Sequence, residues 1–347
     1  MTPFFSVVVA LYNIERCFKS GLECLTRQSF RDFEIILVDD GSKDQTPELC
    51  DRAAEPNSNV KVIHQQNKGL GAARNTGIKH ANGKYLCFFD LDDLVGEDWL
   101  TDIYNEVKDV EPDLLVYGYK EFDDKFKSEN IFRFERAFWS ERSQLVKGFT
   151  KFLSGMQFNN GFAWNKVYKK EFIDAYKLRF PDDTIQQDEI FNHKVYQYFP
   201  KILISDKILY NYYVYSSGIN RKRYIPHRIE CFENVKNSFL AIKNKFEIMD
   251  NRLDYYIHRR FLINVLYNRN PLYTLKERRD FFSTIINNSQ VIDSAECLKK
   301  HSHNIRVIHD FLFSVYCLGI RKKSIASLLI VDYLNVGISF LSGLFHK

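Results

Sequence analysis

Short apolar runs of strand length alternate with stretches of helical spacing from Phe5 to Tyr119, and this alternation constrains the fold more than any other feature. The runs are Phe5–Leu11, Phe33–Val38, Val60–His64, Tyr85–Phe89 and Leu114–Tyr119. They are near-continuously apolar rather than alternating, as expected for strands covered on both faces. Between them, Glu15–Gln28 carries Cys17, Phe18, Leu22 and Leu25 on one side of a helix. Thr46-Pro47 offers an N-cap and a first-turn proline, and Leu70–His80 and Glu97–Val110 complete the series. Such a repeat predicts an α/β fold, a mainly parallel sheet flanked by helices. Sheets of this kind bind ligands beyond the carboxyl ends of their strands.

Carboxylates gather at those ends. Val38 is followed by Asp39-Asp40-Gly41-Ser42, a turn signal. Phe89 is followed by Asp90-Leu91-Asp92-Asp93. If the strand persists, Asp90 and Asp92 point to one face. Like charges that close repel, and a divalent cation such as Mg2+ or Mn2+ is the simplest offset. Hard cations take carboxylate oxygens and share their coordination with substrate phosphates. A solvated acidic turn after a buried strand is the plainer alternative.

The bulk properties exclude several classes. A chain of 347 residues, 45% hydrophobic and 27% charged, is globular and can bury a large core. Its net charge of +5 is mild, and no basic stripe or nucleic-acid motif accompanies it, so nucleic acid is not an expected partner. The seven cysteines are odd in number and have no C-x-x-C spacing, which predicts free thiols in a reducing compartment. The chain opens on an apolar strand without a basic leader or cleavage site, so cytoplasmic residence is expected. His64, His80, His193 and His227 lack ligand spacing, and none is assigned to a metal.

Beyond Phe122 the pattern weakens. Gln187–Tyr198 reads as a helix opened by Asp188 and Glu189, acids that suit its positive end. Ile202–Ile204 and Leu209–Tyr215 read as short strands, and the remainder as helices. The predicted organisation is one α/β domain over 1–218 and a smaller helical region over 219–347. Within the latter, Ile325–Phe345 is an apolar stretch with Ser327, Asp332, Asn335, Ser339 and Ser342 on one arc, preceded by Arg321-Lys322-Lys323. That pattern suits contact with an anionic membrane surface. Packing on the catalytic domain, or on a second subunit of a homodimer, satisfies it equally.

Six motifs then fall in order: Ser6–Asn13, Val38–Ser42, Gly71–Gly77, Asp90–Asp93, Trp164–Tyr168 and Gln187–Phe191. Together they resemble the family 2 glycosyltransferases with a GT-A fold, a group that includes many bacterial capsule and lipopolysaccharide enzymes. The resemblance spans the chain up to about Tyr215. It implies inverting transfer of a sugar from a nucleotide-sugar donor, expected to be a UDP-sugar, in the synthesis of a surface polysaccharide. The implied acceptor is a saccharide or lipid-linked saccharide, met at the inner face of the cell membrane. Asp39 would accept a hydrogen bond from the nucleobase, and the backbone around Ala10 and the ring of Tyr12 would line the base and ribose. Arg74, a planar donor, would meet the diphosphate or the base. Asp90 and Asp92 would form the D-x-D motif and hold Mn2+ or Mg2+, with Asp93 close by as a further ligand. Trp164, Asn165 and Lys166 would border the donor sugar and the acceptor, with a plain core position as the alternative for Trp164. Asp188 would deprotonate the acceptor hydroxyl, with Glu189 competing for that role. The turn Gly69–Gly71 would let Arg74 approach, and Lys68 would add charge there or simply be solvated. Two positions depart from the family's pattern: Ala10 stands where Pro is common, and Gln187 where Glu usually precedes the base. A nucleotidyltransferase would need a Gly-rich basic loop where Ala10–Asn13 stands. A non-catalytic nucleotide-sugar-binding scaffold of a polysaccharide assembly complex would have no use for Asp188.

Overall fold

The computed structural model describes residues 2–123, 129–154, 161–182, 186–214, 228–267, 274–299 and 308–332. The chain forms two compact units, Met1–Phe152 with Met156–Asn220, and Leu153–Gly155 with Arg221–Lys347. The junction expected at 218/219 falls among residues outside the described ones.

The first unit is built on one sheet. Strands β1 (Phe5–Leu11), β2 (Phe33–Asp39), β3 (Val60–His64) and β4 (Tyr85–Phe88) are parallel, in the order β3-β2-β1-β4. Strands β5 (Leu114–Asp123), β6 (Glu129–Phe132), β7 (Ala137–Trp139), β8 (Lys166–Lys169) and β9 (Ile202–Val214) extend it as β4-β8-β5-β9-β7, with β6 on β5. β8 runs antiparallel to both β4 and β5, while β5 and β9 are parallel. Helices α1 (Glu15–Thr26), α2 (Thr46–Ala54), α3 (Leu70–His80) and α4 (Trp99–Val107) connect the first strands. Then come α5 (Arg142–Ser154), α6 (Lys170–Ala175) and α7 (Gln187–Tyr196). Phe5, Val7, Val8, Val9 and Ile35 through Val38 are all buried, so both sheet faces are covered, which is why these strands read as unbroken apolar runs. Leu11 pairs with Asp39, and Asp39 with His64, so the strands deliver these residues to one edge.

Several local expectations change. β4 ends at Phe88, and a turn follows in which the Asp93 N–H donates to the Asp90 carbonyl at 3.0 Å. Asp90 and Asp92 are therefore brought together by a turn rather than by strand alternation. Ile202–Val214 is one strand, not two; irregular pairing opposite Val116–Tyr119 carries it through the polar Ser205-Asp206-Lys207 segment. Thr46 does not cap α2. Its hydroxyl accepts the Ile14 N–H at 3.0 Å, and the Asp44 carboxylate takes the Thr46 N–H at 3.0 Å.

The second unit contains α8 (Arg228–Lys245), α9 (Asn251–Tyr267), α10 (Leu275–Asn287), α11 (Ser289–Lys299) and α12 (Ile308–Arg321), followed by a helical segment at 325–332. The polar arc expected of that segment does not face outward at Asp332. Asp332 is buried, where it accepts from the Arg278 guanidinium and from the Tyr316 hydroxyl, the latter at 3.2 Å. Ile330 is exposed instead. Desolvating a carboxylate requires such partners, so 325–332 packs within its own unit. Residues 333–345 of the predicted surface helix lie outside the described residues. Among the described residues, no helix is long and apolar enough to cross a membrane. The seven cysteines, all among the described residues, form no disulfide.

Candidate active site

Arg74 lies at the centre of the site. It is carried by α3, which approaches its neighbours closely because residue 71 is glycine. A Cβ at Gly71 would collide with the Pro181 carbonyl oxygen and press on the Gln187 amide. The buried Arg74 guanidinium donates through Nη2 to Asp90 Oδ1 at 2.8 Å and through Nη1 to Asp188 Oδ1. The Phe180 ring lies beneath it, 5.5 Å away. Burial alone would lower the pKa of Arg74; Asp188 and Asp90 outweigh it and hold the group well above its ordinary value. The resemblance implies Arg74 on the diphosphate or the base; in the structure it bridges two carboxylates.

Asp188 occupies the first turn of α7, and its Oδ2 accepts the Ala163 N–H at 3.1 Å. Burial pushes its carboxyl above the ordinary range despite the opposing pull of Arg74. Its side chain remains 16% exposed, enough to meet a ligand. A partly exposed carboxylate with raised basicity and both oxygens oriented by fixed donors is suited to accept a proton. Glu189 is buried, with His193 Nε2 4.0 Å from its Oε1.

Asp90, 29% exposed, and Asp92 stand in the turn after β4. Burial, and next the charge of Asp90, push Asp92 up to about 6. A divalent cation would relieve both costs, so this pair fits a metal ion. Asp93 does not fit beside it. Asp93 is buried, its Oδ2 accepts the Tyr210 hydroxyl at 3.0 Å, and its Oδ1 accepts the Tyr213 N–H at 2.8 Å. The turn sends it inward to β9, against the expectation of a third ligand. Among the described residues no three His, Cys, Asp or Glu side chains cluster to hold a metal. A cation here would complete its shell with phosphate and water oxygens, as Mg2+ commonly does.

The expected nucleobase end lies where β1 and β2 finish. Buried Asp39 accepts the Ser42 N–H on Oδ1 at 3.0 Å, and His64 Nδ1 stands 3.0 Å from its Oδ2. His64 Nε2 reaches Asp51 Oδ1 at 3.2 Å. The Asp39 hydrogen bond, working against burial, raises the pKa of His64. His64 has no ligand spacing in the sequence; the available signal was that it and Asp39 end neighbouring strands. Asp40 accepts the N–H groups of Lys68 and Gly69 at 2.9 and 2.8 Å, so Lys68 is tied by its backbone while its residue is exposed. Gly69 has φ 89°, which favours glycine. Ala10 is half-buried in β1, and Tyr12 is 49% exposed just past its end.

Trp164 is not at the site surface. It is buried, stacked on the Tyr210 and Phe162 rings at 4.5 Å each, with Tyr119 edge-on at 4.9 Å. Its faces are occupied by core aromatics, so of the two expectations the core placement is the one observed. Asn165 and Lys166 are buried as well.

Comparison with known proteins follows the same lines. The family described as Glycosyl transferase family 2 matches residues 6–172, a stretch that holds Asp39, Arg74, Asp90 and Asp92. EpsH of Bacillus subtilis (strain 168), a protein with a glycosyltransferase name, is 32% identical over 263 residues, covering 74% of each chain. Among solved structures, S. aureus TarS 1–349 in complex with UDP-GlcNAc is similar with a TM-score of 0.67 at 20% identity, covering 98% of this chain and 92% of that one. The mannosyltransferase PcManGT from Pyrobaculum calidifontis, in complex with GDP-Man and Mn2+, is similar with a TM-score of 0.52 at 16% identity, covering 97% and 88%. With that family match, that degree of identity and a GT-A-like sheet, the chain belongs to the family 2 glycosyltransferases.

Proposed function

We propose that this enzyme moves a sugar from a UDP-sugar to a saccharide or lipid-linked saccharide acceptor with inversion, in the synthesis of a surface polysaccharide. The observation that carries the reading is Arg74, one guanidinium bonded to both Asp90 and Asp188. It joins the carboxylate of the D-x-D turn to the candidate base, close to the carboxyl ends of parallel strands where such sheets receive ligands. TarS, solved with UDP-GlcNAc, supports a UDP-sugar donor, and PcManGT, solved with Mn2+, supports a divalent metal.

In this reading the acceptor oxygen attacks the anomeric carbon in one displacement. The bond from that carbon to the phosphate oxygen breaks, and the nucleoside diphosphate leaves with the electron pair. Asp188 takes the acceptor's proton, general-base help on the order of 10²–10⁴-fold. Arg74 and the Ala163 N–H hold Asp188 in place for that transfer. Asp90 and Asp92 would hold Mn2+ or Mg2+, which supplies charge neutralisation on the diphosphate when bound. Asp39 accepts a hydrogen bond from the nucleobase, with Ala10, Tyr12 and Lys68 around the nucleotide. Exposed Lys322 and Lys323, at the end of α12, support contact with an anionic membrane face.

The test is thermal stabilisation by UDP, GDP and CDP, each with and without Mn2+. A ligand that binds only the folded state stabilises it by mass action. The reading predicts a shift with UDP that requires Mn2+ and disappears in Asp92→Ala. No shift with any nucleotide, in folded protein, would overturn it.

A further inference from the structure

We infer that Lys166 is a positioning residue for the base, acting through the single peptide unit between Phe162 and Ala163. The inference rests on the reading of Asp188 as that base. Lys166 Nζ is fully buried and donates to the Phe162 carbonyl oxygen at 2.6 Å and to Asn165 Oδ1 at 2.8 Å. The N–H of the same peptide unit belongs to Ala163 and donates to Asp188 Oδ2 at 3.1 Å. In a trans peptide the C=O and N–H project from opposite edges of one plane. Lys166 and Asp188 therefore grip the two edges of one rigid group.

Asn192 strengthens the same grip. Its Nδ2 donates to the Phe162 carbonyl at 3.1 Å and to the Gly161 carbonyl at 3.3 Å, and its Oδ1 accepts the Tyr168 hydroxyl at 2.6 Å. A carbonyl that accepts from both an amine and an amide polarises its peptide, and the N–H beyond becomes a better donor. One oxygen of Asp188 is thus held through this peptide and the other by Arg74.

The choice of lysine is otherwise hard to account for. An amine in the interior is costly unless it is bonded, and an apolar side chain would fill the space. Burial lowers the Lys166 pKa to about 7, while Asp188 and Glu189 act to keep it charged. Around this network stand Asp188, Glu189 and His193 on α7, Tyr168 on β8, and Arg74 beyond Asp188. Because Lys166 is fully buried, it touches neither donor nor acceptor and acts only through Asp188.

The test compares wild type with Lys166→Met, Asn192→Ala and Asp188→Asn. Each is assayed for UDP release from whichever of UDP-GlcNAc, UDP-glucose and UDP-galactose wild type turns over fastest. UDP affinity is measured alongside. Lys166→Met is expected to lower kcat by about tenfold or more with UDP affinity unchanged within about twofold. The acid limb of its kcat–pH profile should move upward, because losing a nearby cation raises the pKa of a carboxylate. Asn192→Ala should lower kcat with a smaller movement of that limb, and it decides the matter if Lys166→Met fails to fold. Wild-type kcat and an unmoved limb in both variants would overturn the inference, provided Asp188→Asn is inactive. An active Asp188→Asn would instead overturn the reading of the base.

Discussion

Asp92 and His64 each make stability fall as pH rises through their raised folded-state values. Asp92 is lifted from an ordinary 3.8 to about 6. Between those values the folded state binds more protons than the unfolded state, so this group's contribution falls as pH rises through the window. Above it the folded protein bears the whole penalty, at most about 3 kcal/mol at roughly 1.36 kcal/mol per unit. Asp92→Asn is therefore expected to stabilise the ligand-free protein at pH 8 by roughly 1–3 kcal/mol, while abolishing Mn2+-dependent stabilisation by UDP. Melting with and without the ligands checks both outcomes. His64 is raised, chiefly by its bond to Asp39. Its contribution is complete below its ordinary 6.5 and is lost as pH rises through the raised folded value. His64→Ala should consequently cost more stability at pH 6 than at pH 9, as urea titrations at the two values would read. Neither linkage is legible in the sequence. Asp92 owes its shift to burial, and His64 to a carboxylate on the next strand.

At the scale of elements, glycines set how closely helices approach the site. A Cβ at Gly21 on α1 would collide with the carbonyl oxygen of Leu91, inside the turn that carries Asp90 and Asp92. Backbone cannot yield as a flexible side chain can, so Gly21→Ala should destabilise by roughly 1–3 kcal/mol. It should also raise the Mn2+ concentration needed for UDP to stabilise the protein. Equal Mn2+ dependence in this variant and wild type would show that α1 does not support the turn. The spans of β3 and α3 follow directly from the sequence, since local apolar pattern decides them. The placement of Arg74 does not, because Asp188 lies 114 positions away in the chain. Trp164 sits beside Asn165 and Lys166 in one motif, yet its ring belongs to an aromatic stack built with β9. The inward turn of Asp332 depends in the same way on Arg278, on another helix.

For the whole molecule, the parallel half of the sheet was legible because each strand–helix unit is local. Insertion of β8 antiparallel between β4 and β5 was not, since it joins segments far apart in sequence. That insertion lays Val167–Lys169 along β4, and the chain just before it carries the Phe162–Ala163 peptide that holds Asp188 of α7. The site thus joins a locally encoded half, carrying Asp39, Arg74 and Asp90, to a half completed by long-range pairing. The most direct test of the central claim is the rate of UDP release by Asp188→Asn, using the UDP-sugar that wild type turns over fastest and with donor affinity measured in parallel. The account predicts a loss of about 10²–10⁴-fold in kcat with donor affinity within about twofold of wild type. Turnover at the wild-type rate in that variant would contradict it.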